Sequence, residues 1–206
     1  NIGLSATLNE ALEWCQGRYF SPLASDDIMI EDKTAIQVNF LETNSDITAV
    51  FGGVKLINNK NIVLQESSNE ERFYSFQEII MHEHDLPTPT HMTRLRAIRE
   101  IGGYKSNLFI EDWYMWLKLS QNGKIFCLSQ IFTMYRQHDN NISKNITKMH
   151  QGRFDVLDCF KDHPSYNKAV KNAHWLNVQD KFIVNKNPIY FLELLKINPK
   201  KTTMKS

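Results

Sequence analysis

Apolar residues recur at helical spacing at Leu4, Leu8, Ala11, Leu12 and Cys15, with Ser5 able to cap and Gly17 as a stop. This predicts an amphipathic helix from Ser5 to Gln16. The aromatic segment from Arg18 to Ala24 reads as a short strand, and Pro22 puts it at a sheet edge or a strand end. A second helix is expected to start near Asp32, with Ile36, Phe40 and Leu41 on one face, and to fade at Asn44-Ser45-Asp46. Thr48 to Phe51 begins a β segment, and Val54 to Ile57 with Ile62 to Leu64 around a turn at 58–61 reads as a hairpin. Ser75 and Glu78 have the spacing of a capping box ahead of a helix through Ile79, Ile80 and His82, which Pro87 and Pro89 end. Arg94 to Ile101 and Glu111 to Gln121 read as helices stopped by Gly102-Gly103 and Asn122-Gly123, and Lys124 to Tyr135 as a strand. From about Lys148 helical patterning takes over, through Phe154, Leu157 and Phe160 and on to Phe191, Leu194 and Leu195. Alternating helices and strands over 1–145 predict an α/β sheet flanked by helices, with a helical extension over 146–206.

Composition narrows the function classes. Among 206 residues, 24 Lys and Arg stand against 23 Asp and Glu, a formal charge of +1, so no basic field draws the chain to nucleic acid. Hydrophobic residues at 42% exclude a disordered chain, and no apolar run approaches the ~20 residues that span a bilayer. Cys15, Cys127 and Cys159 are widely spaced and form no C-x-x-C pair, which argues against a disulfide framework and for a reducing compartment.

Three short segments carry candidate chemistry. Asp26-Asp27 after the aromatic strand suits a hard cation such as magnesium or manganese, which shares carboxylates with substrate phosphates; the alternative is a helix cap or solvated turn. Glu111-Asp112 at a helix start satisfies the helix dipole and could equally provide a general base. Tyr135-Arg136-Gln137-His138 ends a strand, where Arg136 suits a phosphate and His138 a phosphate or metal; surface ion pairing is the plainer alternative. A fourth cluster, His82, His84, Asp85 and His91, has zinc-ligand chemistry but lies at a helix end where surface histidines are ordinary. Trp113 and Trp116 are expected in the core, and Tyr104 and Tyr114 on an acceptor surface.

In order, Asn1-x-Gly3-Leu4-Ser5, Gly17-x-Tyr19-Phe20, Ser25-Asp26-Asp27, Gly102-Gly103-Tyr104, Glu111-Asp112-Trp113 and Tyr135-Arg136-x-His138 resemble the family 2 glycosyltransferases of the GT-A fold. The resemblance covers roughly residues 1 to 145. It implies inverting transfer of a sugar from a nucleotide-sugar donor to an acceptor hydroxyl, with Mn2+ or Mg2+ as cofactor. By the same resemblance Asp27 is the main metal ligand with His138 near it, Asp26 and Arg136 lie on the donor side, Asp112 is the base, and Glu111 helps to hold the acceptor. Ala24 stands where many members carry a further acid.

Members normally open with two βα units that hold the nucleotide base, and the chain begins after the place where those would lie. The expectation is therefore a fragment of a longer enzyme, or a binding module that has lost the donor half. The implied acceptor is a glycan or lipid-linked glycan of bacterial cell-surface assembly, on the cytoplasmic side of the membrane. Lys196, Lys200, Lys201 and Lys205 could touch that membrane, with a solvated tail as the default reading.

Overall fold

The computed structural model describes residues 2–68, 70–139, 141–198 and 201. Asn1, Lys200 and Lys205, named above, lie outside the described residues. The chain divides into two compact units, the first ending at Asn141 and the second beginning at Ile142.

The first unit is a mixed sheet with helices on both faces. Its elements are α1 (Leu4–Trp14), β1 (Tyr19–Phe20), β2 (Ile28–Met29), α2 (Lys33–Thr43), β3 (Ile47–Ile57), β4 (Val63–Ser67), β5 (Arg72–Tyr74), α3 (Phe76–Ile80), β6 (Met92–Arg94), α4 (Leu95–Glu100), α5 (Glu111–Asn122) and β7 (Lys124–Arg136). A 3-10 turn spans Thr88–Thr90. The two long strands, β3 and β7, run parallel from Ile47 opposite Lys124 to Ile57 opposite Arg136. Short antiparallel strands take their outer edges: β6 and then β4 along β3, β5 and then β2 along β7. β1 closes the far side by pairing with β6.

Successive side chains on a strand face opposite ways, so β3 builds two cores. Val50 joins Leu41, Ile47, Met92, Leu128 and Phe132 in one cluster, with Ile36 and Phe40 of α2 packed against it. Phe51 meets Trp116 of α5 edge to face at 4.8 Å. Trp113 and Trp116 are buried, as their helical spacing predicts. Midway along the parallel pair β7 carries extra residues, the register moving from Phe51 opposite Cys127 to Gly53 opposite Ile131. There Phe132 crosses Gly52, where a Cβ would come within 2.4 Å of its ring, so only glycine fits.

The sequence reading differs from the fold in several places. The stretch read as a β segment and a separate hairpin arm is one eleven-residue strand, β3, because Gly52-Gly53 interrupts the side-chain pattern without interrupting the ladder. Three short strands, β2, β5 and β6, carry too few residues to show a period. The Arg94 to Ile101 helix begins one residue later, since Arg94 ends β6 and sends its guanidinium to the carbonyls of Leu41, Asn44 and Ile47. The capping box at Ser75 and Glu78 is formed.

The second unit contains α6 (Ile146–Asp158), α7 (Tyr166–Asn185) and α8 (Pro188–Ile197), with a core of Trp175, Val178 and Leu194. Buried Arg153 on α6 reaches Asn177 Oδ1 at 2.5 Å and Asp180 Oδ2 at 2.7 Å on α7. No described helix is long and apolar enough to cross a membrane.

Candidate functional site

Asp26-Asp27 follows β1 at a distance of six residues and stands directly before β2. β2 runs antiparallel to β7, with Ile28 opposite Met134, so the residues just before β2 fall beside the end of β7. That end is also the carboxyl end of the parallel pair, where α/β sheets leave room for ligands. The acidic pair therefore reaches the expected sheet edge by a different route.

Four of the sequence-designated residues meet there directly. The backbone N–H of Arg136 donates to Asp27 Oδ1 at 2.9 Å, and His138 Nε2 lies 2.8 Å from Asp26 Oδ2. A carboxylate only accepts, so Nε2 carries the proton in this arrangement. The Arg136 guanidinium donates through Nε to Asp26 O at 2.8 Å and through Nη1 to Asn58 O at 2.7 Å. It thereby ties the acidic loop to the β3–β4 turn. Asn141, which sequence reasoning passed over, accepts from His138 N at 2.5 Å and donates to Arg136 O at 3.0 Å.

The two carboxyls differ. The hydrogen bond from His138 holds Asp26 below its ordinary value, whereas burial raises Asp27 and the Asp26 charge adds to that.

Glu111 and Asp112 open α5. Asp112 Oδ1 accepts from its neighbour's amide, Trp113 N, at 2.7 Å, and Oδ2 accepts the Thr88 hydroxyl. Glu111 is pushed up to about 7, by burial first and the Asp112 charge second. Tyr104 corrects an expectation: it is 4% exposed and belongs to the core, where its backbone is clasped by Asn9 through Nδ2 to Tyr104 O at 2.7 Å and Tyr104 N to Oδ1 at 2.8 Å. Gly103, at φ 75°, lets Asn9 approach, since a Cβ there would stand 2.7 Å from Asn9 Oδ1.

Among the described residues the two acidic groups are joined through a relay rather than by a direct bond. Thr133 on β7 donates to Pro89 O at 2.8 Å, and the adjacent Thr88 donates to Asp112. Thr133 lies three residues before Arg136, about 10 Å along the strand at ~3.3 Å per residue. Both acidic groups thus belong to one end of the sheet. Thr88 and Thr133 left no sequence signal beyond the Pro-Thr-Pro-Thr run at 87–90.

The histidine cluster does not converge as a metal site. His82 lies tilted against Trp113 at 3.9 Å and stacks on His84 at 5.7 Å, while His91 lies buried against Phe51 and Trp116. Among the described residues no group of three or more His, Cys, Asp or Glu gathers as a ready-made cation shell. The carboxylates of Asp26 and Asp27 are oxygen donors of the kind magnesium and manganese take, whereas His138 Nε2 is committed to Asp26.

No protein-family model matches the sequence. The chain is 27% identical over 180 residues to an uncharacterised glycosyltransferase of Methanocaldococcus jannaschii, which covers 86% of this chain and 57% of that protein. It is 28% identical over 166 residues to a UDP-Glc:alpha-D-GlcNAc-diphosphoundecaprenol beta-1,3-glucosyltransferase of Escherichia coli, covering 79% of this chain and 62% of that enzyme. The chain thus spans about three-fifths of the length of these relatives. Among solved structures, S. aureus TarS in complex with UDP-GlcNAc superposes with TM-score 0.61 at 14% identity, over 98% of this chain and 63% of that one. A mannosyltransferase from Pyrobaculum calidifontis in complex with GDP-Man and Mn2+ gives TM-score 0.54 at 11% identity, over 100% of this chain and 63% of that one. At such identities the likeness is one of architecture, and the architecture is a GT-A-like mixed sheet flanked by helices, shared with glycosyltransferases.

Proposed function

We propose that the chain carries the diphosphate and acceptor side of an inverting, family 2-like glycosyltransferase that moves a sugar from a nucleotide-sugar donor to an acceptor hydroxyl. The observation that supports this most is the meeting of Asp26, Asp27, Arg136 and His138 at the carboxyl end of β3 and β7, with Glu111-Asp112 reached through Thr133, Pro89 and Thr88.

Asp27 would be the principal ligand of Mn2+ or Mg2+, with Asp26 oriented by His138 beside it. For His138 to bind the ion itself, Nε2 must exchange Asp26 for it. A cation held there offsets charge on the departing nucleotide diphosphate. Arg136 keeps the acidic loop fixed to the β3–β4 turn. Asp112 takes the proton of the acceptor hydroxyl as that oxygen bonds to the anomeric carbon from the face opposite the breaking C–O bond to phosphate. Glu111, poised near neutrality, hydrogen-bonds the acceptor as donor or acceptor.

The lipid-diphosphate substrate named for the E. coli relative makes a lipid-linked glycan the proposed acceptor class and cell-surface glycan assembly the setting, on the cytoplasmic face of a membrane.

The experiment is titration calorimetry of UDP and of GDP with and without Mn2+. Binding is expected to require the cation and to weaken at least tenfold in Asp27→Asn. Cation-independent binding, or an unaffected Asp27→Asn, would overturn the assignment.

A further inference from the structure

The segment from Pro87 to His91 is held with unusual completeness. Its five consecutive carbonyls each accept a bond. Pro87 O takes Thr90 N at 3.0 Å and Thr90 Oγ1 at 2.7 Å. Thr88 O takes His91 Nδ1 at 2.6 Å. Pro89 O takes Thr133 Oγ1 at 2.8 Å, and Thr90 O takes Gln37 Nε2 at 2.8 Å. His91 O takes Ser21 Oγ at 2.7 Å and Lys33 Nζ at 3.3 Å.

The anchors come from α2, from β7, from the stretch after β1 and from the segment itself. His91 is 1% exposed and pushed down to about 4 by burial, so it is neutral, and its bond to a carbonyl places the proton on Nδ1. Two prolines further restrict the backbone.

Two side chains of the segment also reach other elements: Thr90 Oγ1 accepts from Gly52 N of β3 at 3.2 Å, and Thr88 reaches α5. Its hydroxyl donates to Asp112 Oδ2 while Trp113 N donates to Oδ1. The two carboxylate oxygens are thus gripped from two directions, and turning the carboxylate about its last torsion breaks both bonds. The amide grip moves with α5. The hydroxyl grip is referred to the sheet, which also carries Asp27 through Arg136 N.

We propose that Thr88 is a positioning residue that sets the Asp112 carboxylate relative to the Asp26-Asp27 edge, with Pro87–His91 as the strut that transmits the sheet's position to it. This rests on the reading of Asp112 as the base. A misplacement of about 1 Å in such a group costs on the order of a hundredfold in turnover.

The test compares Thr88→Val, which keeps the shape and removes the hydroxyl, with Thr88→Ser, which keeps the hydroxyl, and with Asp112→Asn. Crystal structures of the three variants and the wild type are read irrespective of turnover. Nucleotide release is followed with UDP-glucose, UDP-galactose, UDP-GlcNAc and GDP-mannose. In Thr88→Val the Asp112 carboxylate is expected to leave its place, kcat to fall about 10- to 100-fold, and KM for the donor to stay within about twofold. Thr88→Ser is expected to restore both the carboxylate position and kcat to within about threefold of wild type.

An unmoved carboxylate in Thr88→Val, or a serine variant as impaired as the valine one, overturns the proposal. Loss of turnover in Asp112→Asn without loss in Thr88→Val overturns it alone. Full turnover in Asp112→Asn overturns the base assignment and this inference with it.

Discussion

Burial, with the Asp112 charge behind it, pushes the Glu111 carboxyl up to about 7 from its ordinary 4.5. Between those values the unfolded chain has released a proton that the folded chain retains, so stability falls as pH rises from about 4.5 to 7. Glu111→Gln removes this slope. Urea midpoints are expected to show the variant gaining over wild type by up to about 3 kcal/mol at pH 8, with the gain vanishing below pH 4. A constant difference across that range would contradict the burial of Glu111. Arg136 supports a second prediction at this scale, because its fork spans Asp26 O and Asn58 O and a lysine cannot reproduce that geometry. Arg136→Lys is expected to cost about 1–3 kcal/mol in denaturant titration and to weaken nucleotide binding together with it.

The helix α2 shows why pattern alone stops short. Ile36, Phe40 and Leu41 do pack on the sheet as their spacing predicts, yet the stripe buried deepest is Lys33, Gln37 and Leu41. Its polar ends are buried because they have carbonyls to reach: Gln37 Nε2 bonds Val50 O and Thr90 O, and Lys33 meets Ser21 and His91 O. Val50 lies on β3, and the Thr90 and His91 carbonyls belong to a segment more than fifty residues away, so no local period announces them. Gln37→Ala is expected to lower stability by about 1–3 kcal/mol by leaving buried carbonyls unpaired, whereas changes at exposed Asn39 on the same helix leave it unaltered. The same limit explains the site. Asp26-Asp27, Glu111-Asp112 and Arg136-x-His138 were legible as acidic or basic pairs at element ends. Thr88, Thr133 and Asn141, which join or brace them, are single polar residues whose meaning comes from the pairing of β2 with β7 and the path of the 3-10 turn. Tyr104 looked like a surface aromatic because nothing nearby in sequence shows that Asn9 draws its backbone inward.

At the scale of the whole molecule, the proposed site draws on residues 85 positions apart, Asp27 and Asp112, and the sheet is the element to which both are tied. The parallel ladder of β3 and β7 delivers Arg136 to the acidic loop, and Thr133 on the same strand holds the strut that reaches α5. The helical unit that begins at Ile142 has its own core and a half-buried ion pair. Arg153→Ala is expected to destabilise that unit by about 1–3 kcal/mol in denaturant titration, because buried Asn177 Oδ1 loses its donor and Asp180 one of its two cationic partners. In the proposed function Asp112 drives sugar transfer at a site where the Asp26-Asp27 cluster holds the donor. The most direct test of this is product formation by wild type and Asp112→Asn, with Mn2+, the four nucleotide sugars above and a GlcNAc-diphospholipid acceptor. The account predicts transfer from one of these donors by wild type and a loss of at least about a hundredfold in Asp112→Asn with nucleotide binding intact. Equal transfer by the two proteins, or no transfer by wild type from any of the four, would contradict it.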